Sequence, residues 1–148
     1  MSKATEVPFE TTLFVRDHCL CLHLQRAARA LARRFDVALQ PIGLTSGQYS
    51  MMMSLNRPEP PTIGSVASLL AMDRTTLTAA LKPLQRRRLI TVMVDAEDRR
   101  SRRLKLTPAG RALLARAVPV WQRTHAEIER LVPRAGAERL RRDLRALS

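Results

Sequence analysis

Aromatic residues and long apolar runs are both scarce in this chain of 148 residues. Only 3% of the residues are aromatic, which argues against an aromatic-rich β-sandwich and favours helices built on Leu, Ala and Arg. No apolar run approaches the roughly 18–20 residues that span a bilayer, and the N-terminus lacks the features of a signal peptide. We therefore expect one cytoplasmic domain without a membrane partner.

Cysteine is nearly absent, and its two occurrences exclude most cysteine chemistry. Cys19 and Cys21 are too close on a predicted helix to form an ordinary disulfide, so we expect thiols in a reducing compartment. The neighbouring His18 and His23 do not complete a metal site, because side chains so spaced on one helix point in different directions. No metal is expected.

Acidic residues are outnumbered two to one. The chain has 26 Lys and Arg against 13 Asp and Glu, a formal net charge of +13. Such self-repulsion favours a polyanionic partner, and both nucleic acid and an anionic membrane surface would qualify on charge alone. The sequence has no Gly-rich phosphate loop, no paired carboxylates in an apolar setting and no nucleophile–base spacing, so we expect neither an enzyme nor a cofactor.

Apolar spacing predicts a series of helices. Residues 13–39 contain no Pro or Gly and carry one apolar stripe, which predicts one long helix. A second helix is predicted from Thr45 or Ser46 to about residue 56. A short helix capped by Thr62 and a longer one capped by Asp73, separated by a tight break, indicate a helix-turn-helix.

The periodicity then changes to two. Ile90, Val92 and Val94 alternate with the residues at 91, 93 and 95, and Leu104 and Leu106 alternate with two basic residues on the far side of a basic tip at about 95–102. This pattern predicts a β-hairpin, and a hairpin directly after a helix-turn-helix is a winged helix. Cap and first-turn proline "TP" then begin a helix that reaches about residue 131, with a bend expected at its internal proline, and a last amphipathic helix follows.

The predicted fold class is mainly α with a small β-wing. A winged helix-turn-helix core at about 45–107 is flanked by helices at about 10–40 and 108–147, all within a single domain of residues 1–148. The flanking helices carry more apolar surface than this core can cover. A symmetric homodimer is the simplest way to bury it.

Three segments together resemble the multiple antibiotic resistance regulator (MarR) family of bacterial transcription factors. They are "LTSGQYSMMMSL", "DRTTLTAALKPLQRRRLI" and "DRRSRRLKLTPAG". The resemblance covers roughly residues 13–147. It implies a homodimeric DNA-binding regulator, and we expect a repressor of a pseudo-palindromic operator that a small, aromatic or anionic effector releases.

The resemblance assigns roles within the wing. Arg100 matches the arginine that the family inserts into the minor groove, and Asp98 matches the acidic partner that orients it. Arg99, Arg102 and Arg103 are expected to contact phosphates. The alternative for these residues is an ordinary solvated loop.

The polar face of the longer predicted helix is expected to enter the major groove. Its first turns carry Arg74, Thr75, Thr76 and Thr78, of which Arg74 suits guanine and a Thr methyl group suits thymine. Lys82 and Arg86 better suit phosphates. The alternative is again a solvated surface.

Effector candidates follow from the family's ligand site between helices. They are Phe14, His18, Tyr49, Met52, Met53 and Trp121. Each could equally be a plain core residue, although Met side chains suit an adaptable apolar pocket.

One position departs from the family pattern. Arg88 stands where the family usually has the glycine that ends the recognition helix in a left-handed conformation. Either the turn differs here or the chain carries the strain.

Two alternative functions remain open. The segment "CLCLHLQRAAR" resembles the first helix of organic-hydroperoxide regulators, with Cys21 eight residues before Arg29, but Gln25 and Phe35 replace the tyrosines that would bind the thiolate. Cys21 is then either a peroxide-sensing thiol or a small apolar residue. A non-specific architectural DNA-binding protein would also explain the charge.

Overall fold

The computed structural model describes residues 6–134 and 136–148, which form seven α-helices and a two-stranded antiparallel sheet. In chain order these are α1 (Phe9–His18), α2 (Leu20–Leu39), α3 (Ser46–Ser54), α4 (Ile63–Leu69), α5 (Arg74–Arg86), β1 (Ile90–Val94), β2 (Arg102–Leu106), α6 (Pro108–Glu129) and α7 (Gly136–Leu147), with a 3₁₀ turn at Gln40–Ile42. The predicted fold class, mainly α with a β-wing, is confirmed. Among the described helices, none combines the length and apolarity needed to cross a bilayer.

The prediction of one long first helix is wrong. The chain forms two helices that meet at Cys19, whose backbone is extended (φ −70°, ψ 109°). The Leu22 N–H donates to the Cys19 Sγ at 3.4 Å, so the thiol caps α2. This break involves neither Pro nor Gly, and the helical spacing of apolar residues continues across it, so no sequence signal marked it.

The side-chain caps at the starts of α3, α4, α5 and α6 agree with the sequence. Thr45 rather than Ser46 begins α3, in a capping box with Gln48. Thr62, Asp73 and Thr107 accept backbone N–H groups at the starts of α4, α5 and α6. These caps set where each helix of the winged helix begins, because each satisfies a backbone donor that would otherwise lack a partner.

The core lies where α2 and α6 pack against the winged helix. Its fully buried side chains include Leu39, Met52 and Leu104. The inner face of α5 is a stripe of leucines, since Leu77, Leu81 and Leu84 are all buried. Burying each such leucine stabilises the fold by about 1.5–3 kcal/mol, and the stripe fixes which face of α5 is left to solvent.

The predicted hairpin is present, and its register places Ile90 opposite Leu106 and Val94 opposite Arg102. A third segment extends it, because the Leu104 N–H donates to the Pro61 carbonyl at 2.9 Å and Thr62 forms an isolated bridge with Arg103. Val94 is 55% exposed, since it lies at the outer end of the hairpin beyond the core. The wing is therefore attached to the loop that precedes α4.

Within the winged helix, two residues other than glycine have a left-handed backbone. Arg88 has φ 56°, so the strain anticipated from the family pattern is carried rather than avoided. Ala71, in the turn between α4 and α5, has φ 52°. Each costs about 1–2 kcal/mol relative to a right-handed conformation.

Apolar side chains on the outer helices face solvent in the single chain. Phe9 is 68% and Leu20 67% exposed, and Leu140, Leu144 and Leu147 on α7 are also exposed. The structure thus leaves the ends of the flanking helices without an apolar partner in the described part of one chain.

Candidate nucleic-acid interface

The outer face of α5 forms a shallow groove. Its lining consists of Arg74, Thr75, Thr78, Ala79 and Lys82. All five are exposed because the leucine stripe of α5 faces the core on the opposite side. Arg86, at the last position of the helix, is also exposed. The residues predicted from the sequence are therefore all exposed, and Thr76 differs from the groove residues because its side chain bonds to the helix cap.

Thr76 belongs to the cap of α5. Its N–H donates to Asp73 Oδ1 at 2.7 Å and its hydroxyl donates to Asp73 Oδ2 at 2.6 Å. The Thr76 side-chain bond, followed by its backbone bond, holds the pKa of Asp73 below its usual value. In this geometry the Thr76 hydroxyl stabilises the start of the helix.

Arg74 lies across the preceding helix. A β-carbon built on Gly64 of α4 would lie 2.8 Å from Arg74 Nη2, so the missing side chain at Gly64 makes room for the guanidinium. Sequence reasoning did not single out Gly64, because a glycine near a helix start usually reports a turn.

The tip of the wing is shaped by Asp98. Its carboxylate accepts the backbone N–H of Arg100 at 3.0 Å, and its carbonyl accepts the Ser101 N–H at 2.9 Å. Asp98 thus contacts Arg100 through the backbone rather than the guanidinium. Arg102 donates to the Arg99 and Ser101 carbonyls at 2.9 and 3.2 Å, which folds its side chain back along the tip.

The Arg103 guanidinium is bound by two groups of the protein itself. Its Nη1 donates to the Pro60 carbonyl at 2.6 Å, and its Nε lies 3.3 Å from Asp95 Oδ2. The Glu97 N–H and then the Arg103 side chain hold the pKa of Asp95 low. From the sequence, Arg103 was expected to contact phosphate like its neighbours, since Pro60 lies 43 residues away and no local pattern connects the two residues.

An apolar cavity of about 560 Å³ lies between α3, the end of α4 and α6. It brings together Tyr49, Met53 and Trp121 of the six predicted effector residues. Met52 is fully buried in the core instead, and Phe14 and His18 stack on each other, with ring centroids 4.2 Å apart, on exposed α1.

The cavity has further walls that the sequence did not indicate. They are Ser50, Ser54, Asn56, Arg57, Leu69 and Leu70. Trp121 is held in place by stacking, with its ring centroid 6.1 Å from that of Tyr49 and 4.5 Å from that of His125. These residues come from segments far apart in sequence, so only the packing of α3 on α6 identifies the cavity.

The two cysteines are free thiols with different surroundings. Cys19 is half-buried at the break between α1 and α2, whereas Cys21 is exposed. Gln25, which replaces one of the expected tyrosines, donates to Cys21 Sγ at 3.3 Å. Within residues 6–134 and 136–148, no group of three or more His, Cys, Asp or Glu side chains could hold a metal ion.

Comparison with known proteins shows what this architecture is similar to. The sequence profile of the MarR family matches residues 44–101. The organic hydroperoxide resistance transcriptional regulator of Bacillus subtilis (strain 168) is 31% identical over 101 residues, which cover 68% of this chain and 69% of that protein.

Two solved structures carry the similarity over almost the whole chain. The Mycobacterium tuberculosis transcriptional regulator MosR in complex with DNA is 38% identical, with a TM-score of 0.80 over 88% of this chain and 93% of MosR. The transcriptional repressor CouR bound to a 23-mer DNA duplex is 27% identical, with a TM-score of 0.79 over 97% and 99% of the two chains. This chain belongs to the MarR family and is a DNA-binding transcriptional regulator.

Proposed function

We propose that this protein is a homodimeric repressor that binds a pseudo-palindromic operator in the cytoplasm and is released by a small effector. The observation that carries the proposal is the likeness to MosR, which extends over nearly the whole chain and to a structure containing DNA. CouR, described as a repressor and also solved with p-coumaroyl-CoA, supports the effector and the direction of regulation.

The proposed DNA contacts divide between α5 and the wing. Arg74, Thr75 and Thr78 face the bases, and Thr76 holds the helix start from which they project. Lys82 and Arg86 contact phosphates farther along the helix. In the wing, Arg100 enters the minor groove from a tip that Asp98 shapes, while Arg99 and Arg102 contact phosphates.

The second copy covers the outer helices. The exposed apolar residues of α1, of the start of α2 and of α7 support this assignment, because monomeric proteins rarely leave such surface to water. A symmetric dimer places two recognition helices about one helical turn of DNA apart, which matches a two-fold operator.

Operator binding is tested with the Arg100→Ala variant. We expect it to weaken operator binding strongly without changing the dimer, whereas Arg116→Ala, which removes the same charge from the exposed surface of α6, leaves affinity nearly unchanged. The measurement is a fluorescence-anisotropy titration at fixed salt, with sedimentation for the dimer. Unchanged affinity in Arg100→Ala would contradict the wing assignment.

Random DNA distinguishes a regulator from an architectural protein. A regulator binds its operator about 10³-fold or more tighter than random sequence at physiological salt. Equal competition by random duplex would favour the architectural alternative.

The effector is proposed to be an aromatic anion bound in the cavity between α3 and α6. Tyr49 and Trp121 supply aromatic walls, Met53 an adaptable apolar surface, and Arg57 a cation among the lining residues. Such a ligand would favour a dimer geometry that no longer matches the operator, so its different affinities for the two states would release DNA.

Trp121 is the single tryptophan of the chain, so its fluorescence reports this cavity directly. A panel of aromatic carboxylates and their uncharged amides is titrated against the wild type and Arg57→Ala. We expect acids to quench Trp121 and to release the operator, with weaker binding in Arg57→Ala. Equal binding of acid and amide would contradict the role of Arg57.

A second candidate is a peroxide sensor that uses Cys21. Its support is the relative named as an organic hydroperoxide resistance regulator, together with the exposed Cys21 thiol and the Gln25 donor. Here organic peroxide would release DNA from the wild type and not from Cys21→Ser. Equal release from both proteins excludes this candidate.

A further inference from the structure

The base of the wing holds an arginine whose guanidinium is divided between two partners. Arg103 Nη1 donates to the Pro60 carbonyl at 2.6 Å, and Nε lies 3.3 Å from Asp95 Oδ2. The Asp95 side chain is 10% exposed and that of Arg103 is 34% exposed, so the pair is shielded in a way that the wing tip is not. A pair in this position is screened less by salt than an exposed one.

These contacts join three segments of the chain. Asp95 follows β1, Arg103 belongs to β2, and Pro60 lies in the loop that leads into α4. Backbone bonds reinforce the junction, since the Leu104 N–H donates to the Pro61 carbonyl and Thr62, the cap of α4, bridges to Arg103. This junction therefore joins the wing to the loop that leads into the helix-turn-helix.

The other oxygen of Asp95 helps to build the wing tip. Asp95 Oδ1 accepts the Glu97 N–H at 3.1 Å, and the Asp95 N–H donates to the Ser101 carbonyl at 3.1 Å. The same carboxylate thus binds Arg103 below and the tip above. A shift of Arg103 would therefore move Asp95 and change the turn that carries Arg100.

We propose that Arg103 is a positioning residue that clamps the wing to the loop before α4 through Asp95 and Pro60, and not a phosphate contact. This inference rests on the proposed DNA-binding role of the wing. To reach a phosphate, the guanidinium would have to leave both partners, and the nearly buried Asp95 carboxylate would lose its ion pair. The planar guanidinium serves a carboxylate and a carbonyl at once, which the single ammonium of lysine does less well.

Two conservative substitutions separate a clamp from a phosphate contact. Arg103→Lys keeps the positive charge, so a phosphate contact would survive it, whereas the clamp would not. Asp95→Asn removes a negative charge near DNA, so simple electrostatics predicts equal or tighter binding. The clamp predicts the opposite, because Oδ1 must still accept the Glu97 N–H, which leaves the amide N–H₂ facing Arg103 Nε, donor to donor.

The experiment measures operator affinity of the full-length dimer by fluorescence anisotropy for both variants, for the double variant and for Arg116→Lys. We expect Arg103→Lys and Asp95→Asn each to weaken binding about tenfold, and the double variant to be no weaker than either. Arg116→Lys makes the same exchange on the exposed surface of α6, outside the proposed interface, and should stay within about twofold of wild type. Unchanged affinity in Arg103→Lys, or tighter binding in Asp95→Asn, overturns the clamp.

Hydrogen exchange of the free protein gives a readout that needs no DNA. Both variants should exchange faster than wild type at the Leu104 amide and in residues 95–101, with unchanged rates in α6. Wild-type rates at these sites would also overturn the clamp. A failure of the proposed function is distinguishable, because it appears as unchanged operator binding in Arg100→Ala whatever the exchange rates show.

Discussion

Replacing Arg88 with glycine should stabilise the protein. Arg88 has φ 56° between α5 and β1, a conformation that costs a residue with a β-carbon about 1–2 kcal/mol. Glycine removes that cost. It also gives the unfolded chain more conformational entropy, which lowers the stability by about 0.4–1 kcal/mol. We therefore expect Arg88→Gly to raise the free energy of unfolding by about 0.5–1 kcal/mol per protomer.

The turn itself is kept by bonds that do not involve the Arg88 side chain. The Leu89 N–H donates to the Leu84 carbonyl at 3.0 Å, and the Thr107 hydroxyl donates to the Arg88 carbonyl at 2.7 Å. Glycine can therefore take the same backbone conformation without losing these contacts. The substitution acts through the β-carbon and the unfolded state alone.

The assay is thermal and urea unfolding at one fixed protomer concentration, because dimer stability depends on concentration. A gain of this size should raise the midpoint of thermal unfolding by about 2–4 °C. Arg88→Ala is the matched control, since it removes the same charge and keeps the β-carbon, and it should unfold near the wild-type temperature. Equal stabilisation by alanine and glycine would refute the backbone explanation and assign the effect to charge.

Three further measurements test other parts of the structure. Gly110→Ala should destabilise by about 1–3 kcal/mol, because its β-carbon would collide with the Leu89 carbonyl oxygen, whereas Gly47→Ala, with open space around it, should be neutral or stabilising. Urea unfolding of both distinguishes collision from helix propensity. The Thr76 hydroxyl and then its N–H hold the pKa of Asp73 below its ordinary value in the folded state, so the cap stabilises the protein near neutral pH and this stabilisation is lost as the pH falls through that lowered pKa. The stability difference between wild type and Asp73→Ala should therefore shrink on acidification; a constant difference would contradict the cap. With four proposed phosphate contacts per protomer, operator affinity should fall with salt with a logarithmic slope of about −7, and Lys82→Ala should reduce that slope by about 1.8. An unchanged slope would place Lys82 outside the interface.

The elements closest to prediction are those with strong local signals. Thr62, Asp73 and Thr107 begin helices as expected, because a cap needs only its own side chain and the next few N–H groups. The hairpin follows from alternation on both sides of a polar tip in the same way. The break at Cys19 was missed because it carries no Pro or Gly.

The candidate site could be predicted where it lies on one element. The exposed face of α5 follows from its leucine stripe, and the wing tip from its basic run and the family pattern. Three of the six effector candidates, Phe14, His18 and Met52, do not line the cavity, because helical spacing shows that a residue is apolar and not which neighbour it meets.

The sequence by itself determined the charge, the order of helices and hairpin, and the family, since these depend on composition and on spacing along the chain. Only the tertiary structure decided that Arg103 binds Asp95 and Pro60 while its neighbours in the same basic run lie at the surface. The reason is physical. Which partners an arginine binds depends on the oxygens that folding brings near its guanidinium. The Pro60 carbonyl comes near Arg103 only when the wing packs against the loop before α4.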